Sequence, residues 1–130
     1  NEDGSFRNIV HIDERLDYKK FLKKPPTCSH TIMFDTELVD KKALVMPDIR
    51  KRQDAATWLQ VIKLYGCLHG FDEVLAANRK RSDSLSANKV SAVKGTWFLY
   101  TEIEGLSKPY AGYCLFWQMF HAVLKRIGKR

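Results

Sequence analysis

Three features of this chain predict an α/β architecture of short strands interleaved with helices. Between Gln53 and Tyr65 the residues Ala55, Trp58, Leu59 and Ile62 recur at helical spacing, and Gly66 suits the left-handed position that ends a helix. Apolar runs of strand length lie on either side, at residues 31–34 and 67–71. Beyond Val90 the pattern is helical throughout.

In chain order, residues 1–12 read as a loop with a short strand over 9–12. Residues 13–24 read as a helix bearing Leu16, Phe21 and Leu22, stopped by Pro25 and Pro26. The strand 31–34 and a helical turn over 36–40 follow. Met46-Pro47-Asp48 signals the approach to the next helix, with Asp48 a candidate cap. After the 53–65 helix, residues 67–71 and 73–77 read as two short strands. Residues 79–89 are polar and basic, hence a loop. Residues 90–104 read as a helix with Val90, Val93, Trp97, Tyr100 and Ile103 near one face, and Gly105 beyond its end. Ser107 then caps a last helix, with Pro109 just inside it, running to about Ile127 and a basic tail.

The length, 130 residues, is that of one domain. Hydrophobic residues at 45% and charged ones at 28% are values of a globular chain, which sets disorder aside. The net charge of +7 favours a polyanionic partner: nucleic acid, a phosphorylated small molecule or an anionic lipid surface. Cys28, Cys67 and Cys114 are odd in number and form no CxxC, which argues against a disulfide framework or zinc knuckle and for reduced thiols in a cytosolic protein. His11, His30, His69 and His121 form no HxxxH or HExxH pair. The opening residues Asn1-Glu2-Asp3-Gly4-Ser5 carry no signal-peptide pattern and read as a trimmed start.

Two stretches carry chemistry. Asp54 lies in the first turn of the 53–65 helix, where the helix dipole favours a carboxylate. Taken alone such a residue is most often a cap. Its neighbours add to it: Trp58 one turn on can wall a sugar site or simply pack in the core, and Arg50, Lys51 and Arg52 precede it. Downstream, Arg79, Lys80 and Arg81 precede Ser84 and Ser86. Such a run is usually solvated surface. It can also clamp phosphate, because guanidinium forks match phosphate oxygens and hydroxyls add donors.

Together, Arg52-Gln53-Asp54-x-x-x-Trp58-Leu59, then Gly66, then Asp72-Glu73-Val74-Leu75-Ala76, then Arg79-x-Arg81-x-x-Ser84-Leu85-Ser86-x-Asn88-Lys89 resemble the C-terminal half of bacterial family 2 glycosyltransferases of the GT-A fold. The likeness runs on through Tyr100-x-x-x-Glu104-Gly105-Leu106-Ser107 and covers roughly residues 25–125. It implies a partial GT-A domain over 1–106, the acceptor-side half, followed by a C-terminal aromatic helix with a basic tail over 107–130. It implies that Asp54 is the general base of an inverting transfer from a nucleotide-sugar donor to a glycan or lipid-linked acceptor. Arg52, Gln53, Trp58, Arg79, Arg81, Ser84 and Ser86 would then bind substrate. Arg81 stands where many relatives carry His, and Asn78 where Tyr is common. The family's opening strand and its Asp-x-Asp do not occur in this sequence. The expectation is therefore that these residues hold no metal, that Mg or Mn belongs to the full-length enzyme, and that this half alone is inactive. The context implied is surface polysaccharide synthesis at the cytoplasmic side of a membrane.

The last helix is apolar nearly all round, through Tyr110, Tyr113, Phe116, Trp117, Met119, Phe120, Val123 and Leu124, with Lys125, Arg126, Lys129 and Arg130 after it. Gln118 and His121 interrupt it, and the run is too short to span a bilayer. Residues 109–124 can pack internally, lie in a lipid interface, or pair two copies. Two other functions compete: a small basic nucleic-acid-binding module and a helical dimerisation domain. Against the first, the aromatics sit at helical core spacing and no nucleic-acid motif is present, so no nucleic-acid partner is expected.

Overall fold

A computed structural model describes residues 9–25, 29–77 and 88–127. Strand β1 (Arg15–Asp17) leads directly into helix α1 (Tyr18–Lys23). Helix α2 (Gln53–Tyr65) is followed by strand β2 (Cys67–His69). Helix α3 (Lys89–Phe98) widens into a π-turn over Leu99–Ile103, and helix α4 (Lys108–Arg126) completes the described chain. Short 3-10 turns lie at Ser29–Thr31 and Lys41–Leu44. The result is a helical assembly with one small two-stranded sheet.

β1 and β2 are antiparallel, with Leu16 opposite Leu68. The sheet is closed at one end by Gly70, whose N–H donates to the Glu14 carbonyl at 2.9 Å. A Cβ at Gly70 would lie 2.1 Å from the Asp13 carbonyl oxygen, so only glycine admits this approach.

Much of the residue 13–24 segment is thus not one helix. Asp17 divides it: its carboxylate accepts from the Lys20 N–H at 2.8 Å and caps a six-residue helix, while the residues before it pair with β2. The expected strands at 9–12, 31–34 and 73–77 also do not form, because none of them meets a partner strand among the described residues. The 31–34 segment keeps strand-like alternation all the same. Ile32 and Phe34 pack on the core while Met33 is 92% exposed. The helical turn expected over 36–40 is a turn, closed by Val39 N–H on the Asp35 carbonyl at 2.8 Å. Asp48 caps nothing, since α2 begins five residues later.

The core is built by α1, α2, the π-turn after α3, and α4. Phe21, Leu22, Ala55, Ala56, Trp58, Leu59, Ile62, Leu99, Tyr100, Ala111 and Cys114 are all buried in it. Phe21 and Trp58 meet edge-on, ring centroids 6.0 Å apart. Tyr100 reaches across to donate to the Leu22 carbonyl, which is left without a helical partner where α1 stops.

α3 turns inward a face that matches only part of the one its pattern predicts. Tyr100 is buried as expected, with Thr96 and Leu99 beside it, whereas Val90, Trp97 and Ile103 are exposed. Two local features shape it. The π-turn adds a residue to one turn and shifts the register after Phe98, which bears on Ile103. Gly95 lets the chain at Lys51 come close, its missing Cβ being 3.3 Å from the Lys51 Cβ. Beyond the turn, Glu104 is sealed in, with its side chain 2% exposed; it accepts from the Tyr18 hydroxyl at 2.5 Å and pairs with Lys63 at 3.0 Å. The Tyr100…Glu104-Gly105 block is therefore a structural clasp joining α1, α2 and α3. Gly105 leaves it at a left-handed φ of 64°.

Candidate active site

The first turn of α2 opens on a cleft of about 230 Å³ lined by Lys24, Ser29, Arg52, Asp54, Trp58 and His121, with Pro25, Ala55, Gln118 and Ala122 completing its wall. Three elements build it. α2 supplies Asp54 and Trp58, the loop after α1 supplies Lys24 and Ser29, and α4 closes the far side with Gln118 and His121.

Asp54 is half-buried at the rim. Its Oδ2 accepts from the Ser29 hydroxyl at 2.8 Å, and its Oδ1 accepts from the Ala55 N–H at 2.8 Å. A carboxylate has about four lone-pair sites, so acceptor capacity remains toward the cleft. The two bonds aim the group, and the amino end of α2 favours its negative charge.

Arg52 begins the helix in an unusual way. Its φ of 68° and ψ of 22° are left-handed, and among the described residues it alone is a non-glycine with positive φ. The conformation costs about 1 kcal/mol or more in an L-residue. It is held from outside: Lys51, next to it, donates to the Ser91 hydroxyl, and Gly95 admits the same segment against α3. The bend turns the chain into α2, and Arg52 lines the cleft beside Asp54.

Trp58 has a double role. It is 5% exposed and belongs to the core, yet one edge of it lines the cleft. Gln53 is exposed and does not line the cleft; its carbonyl accepts from the Thr57 hydroxyl at 3.0 Å. Arg79, Arg81, Ser84 and Ser86 lie outside the described residues, as do Cys28 and Asn78. His30 is exposed away from the cleft lining, and His69 sits at the end of β2 with its Nε2 3.6 Å from the Cys67 sulfur.

The site also contains residues that the sequence pattern did not single out: Lys24, Ser29, Gln118 and His121. Lys24 is paired with Asp13, Nζ to Oδ1 at 3.0 Å. The Tyr100 hydroxyl lies 3.4 Å from Gln118 Oε1, and His121 stacks at a tilt near Trp117. Gln118 and His121 recur at i and i+3 on one face of α4, which was the available signal. Ser29 had none, because its partner is 25 residues away.

Among the described residues no three His, Cys, Asp or Glu side chains are grouped to hold a metal ion. Buried Cys114, packed beside Tyr110, has its thiol pushed up by burial, which makes it a core residue and not a nucleophile.

No protein-family profile matches the chain, and no solved structure matches it. It is nonetheless related to a glycosyltransferase. Over 127 residues, 97% of this chain, it is 39% identical to a Bacillus subtilis (strain 168) protein named "Putative teichuronic acid biosynthesis glycosyltransferase TuaG". The aligned part is 50% of that protein, so the chain spans about half the length of the curated relative it matches. The resemblance read along residues 25–125 is a real sequence relationship to a bacterial glycosyltransferase.

Proposed function

We propose that this chain is the acceptor-side, C-terminal half of an inverting family 2 glycosyltransferase of the GT-A fold, acting in surface polysaccharide synthesis. The observation that carries the reading is Asp54: a carboxylate aimed by two hydrogen bonds at the rim of a cleft that also holds Arg52 and Trp58. The kinship with a named polysaccharide glycosyltransferase supports the same chemistry.

In this mechanism the acceptor hydroxyl enters the cleft and donates its proton to Asp54. The oxygen forms a bond to the anomeric carbon of a nucleotide-sugar as the bond from that carbon to the diphosphate breaks. Attack from the face opposite the leaving group inverts the anomeric centre. A positioned base supplies both proton removal and aim, about 10² to 10⁴ in rate. Trp58 offers an aromatic edge to a sugar ring. Arg52 supplies a cation near the developing charge, and Arg79, Arg81, Ser84 and Ser86 are assigned to the diphosphate on the strength of the sequence likeness. The Mg or Mn that the likeness implies does not fit the donor groups described here, so no step is routed through it. The other half of the protein would supply the nucleotide site, and this half alone would not transfer sugar.

The test is Asp54→Asn in the full-length protein. Transfer falls by about a hundredfold or more while binding of the nucleotide-sugar is kept. Undiminished transfer by that variant removes Asp54 from the role.

A further inference from the structure

Asp54 has two oxygens with different duties. Helix α2 starts without a side-chain cap, because Arg52 at its head carries no acceptor and makes no capping bond. The first N–H groups of the helix must find partners elsewhere. Asp54 Oδ1 meets one of them, the Ala55 N–H, at 2.8 Å. An acidic residue in any helical first turn can do as much. Oδ2 has no such local duty. It is taken instead by the hydroxyl of Ser29, 25 residues away in sequence, at 2.8 Å.

The core places Ser29. It opens the short turn Ser29–Thr31, in which the Ile32 N–H donates back to the Ser29 carbonyl at 3.3 Å. Ile32 and Phe34 then pack on the buried cluster. Apolar anchors, not a charge, therefore set this hydroxyl against the head of α2.

The cations of the cleft leave Asp54 alone. Lys24 is taken up by Asp13, and among the described residues neither Lys24 nor Arg52 forms an ion pair with Asp54. Only neutral donors hold the carboxylate. A neutral hydroxyl fixes direction without cancelling the negative charge, and a general base needs both. A carboxylate bonded through one oxygen can still swing about its Cβ–Cγ bond, which is a broad torsion. A second bond, at the other oxygen, fixes the plane and the direction of the lone pairs that remain.

We propose that Ser29 is the positioning residue of Asp54, its hydroxyl fixing the carboxylate plane so that a free lone pair faces the cleft. This rests on the reading of Asp54 as the base.

The experiment is steady-state sugar transfer by the full-length protein. Ser29→Ala removes the donor: kcat falls about tenfold, while KM for the nucleotide-sugar and for the acceptor stay as in wild type. Ser29→Thr keeps a hydroxyl and restores the rate. On the Asp54→Asn background, Ser29→Ala brings no further loss, because the group it positions is already gone. Undiminished kcat in Ser29→Ala, with Asp54→Asn impaired, overturns the positioning role alone. A rise in acceptor KM with kcat kept also overturns it, since Ser29 would then touch the substrate directly. So does a further tenfold loss on the Asp54→Asn background, or a loss that Ser29→Thr fails to restore and that accompanies a lower melting temperature. Undiminished transfer by Asp54→Asn is a separate result: it removes the base itself, and the positioning role with it.

Discussion

Arg52 shows how one residue can serve the site at the expense of local stability. Its left-handed backbone would suit glycine, yet its side chain lines the cleft. Arg52→Gly is expected to keep the protein folded or stabilise it by about 1 kcal/mol, because strain is relieved. The same change is expected to lower transfer, because the cation is lost. Urea unfolding and sugar transfer measured on one preparation separate the two effects. Glu104 is the opposite case, a carboxylate whose work is structural. Removing it by Glu104→Ala leaves the Tyr18 hydroxyl and Lys63 without their shared acceptor and is expected to cost about 3 kcal/mol. A denaturation midpoint unchanged from wild type would refute the clasp. At this scale the candidate base was legible from its place in a helical first turn and from the motif around it. Ser29 and His121 were not, because a hydrogen bond across 25 residues and a cleft wall drawn from another helix leave no local pattern.

Among the elements, α2, α4 and β2 were readable, whereas β1 and the other expected strands were not. α2 runs over the bounds its period marks, Gln53–Tyr65, with Gly66 at its end. Helices satisfy their own backbone groups, so period and caps are enough to announce them. A strand needs a neighbour. The runs at 31–34 and 73–77 have strand composition but no ladder among the described residues, and Val74 and Leu75 stay exposed. β1 and β2 do pair, and their closure depends on Gly70. Gly70→Ala places a methyl group against the Asp13 carbonyl and is expected to destabilise by about 1–3 kcal/mol, read by loss of amide protection at Leu16 and Leu68 in hydrogen exchange. Full protection at both amides would show that the sheet tolerates the methyl. The inward face of α3 was read only in part: Tyr100 is buried as its spacing marks, but a π-turn is one inserted residue, and periodicity carries no sign of the shift beyond Phe98.

For the whole molecule, pH dependence follows from buried phenols. Burial first, then the Glu104 hydrogen bond, raises Tyr18; burial likewise raises Tyr100. A phenol raised in the folded state contributes stability that is full below the unfolded value and is lost as pH rises through the folded one. Stability is therefore expected to fall above about pH 10, with tyrosinate absorbance and loss of helix appearing together. Tyrosinate formation well ahead of unfolding for all five tyrosines would contradict this. At low pH the exposed Asp72 acts in the other direction. The His11 hydrogen bond, then the Ile12 N–H, lowers its pKa, so its support is present above the unfolded value and fades as pH falls through the folded one.

The amino-acid order by itself determined the two long amphipathic helices, the carboxylate at the head of one of them, the basic character of the chain and its kinship with glycosyltransferases. Each is local or additive, a matter of period, cap, charge count or motif. Only the tertiary structure decided which face of α4 looks inward, that Ser29 and His121 belong beside Asp54, and that Glu104 is a clasp. Those depend on which distant segments meet, and contact between remote residues arises from packing the shared core, which no stretch of sequence carries alone.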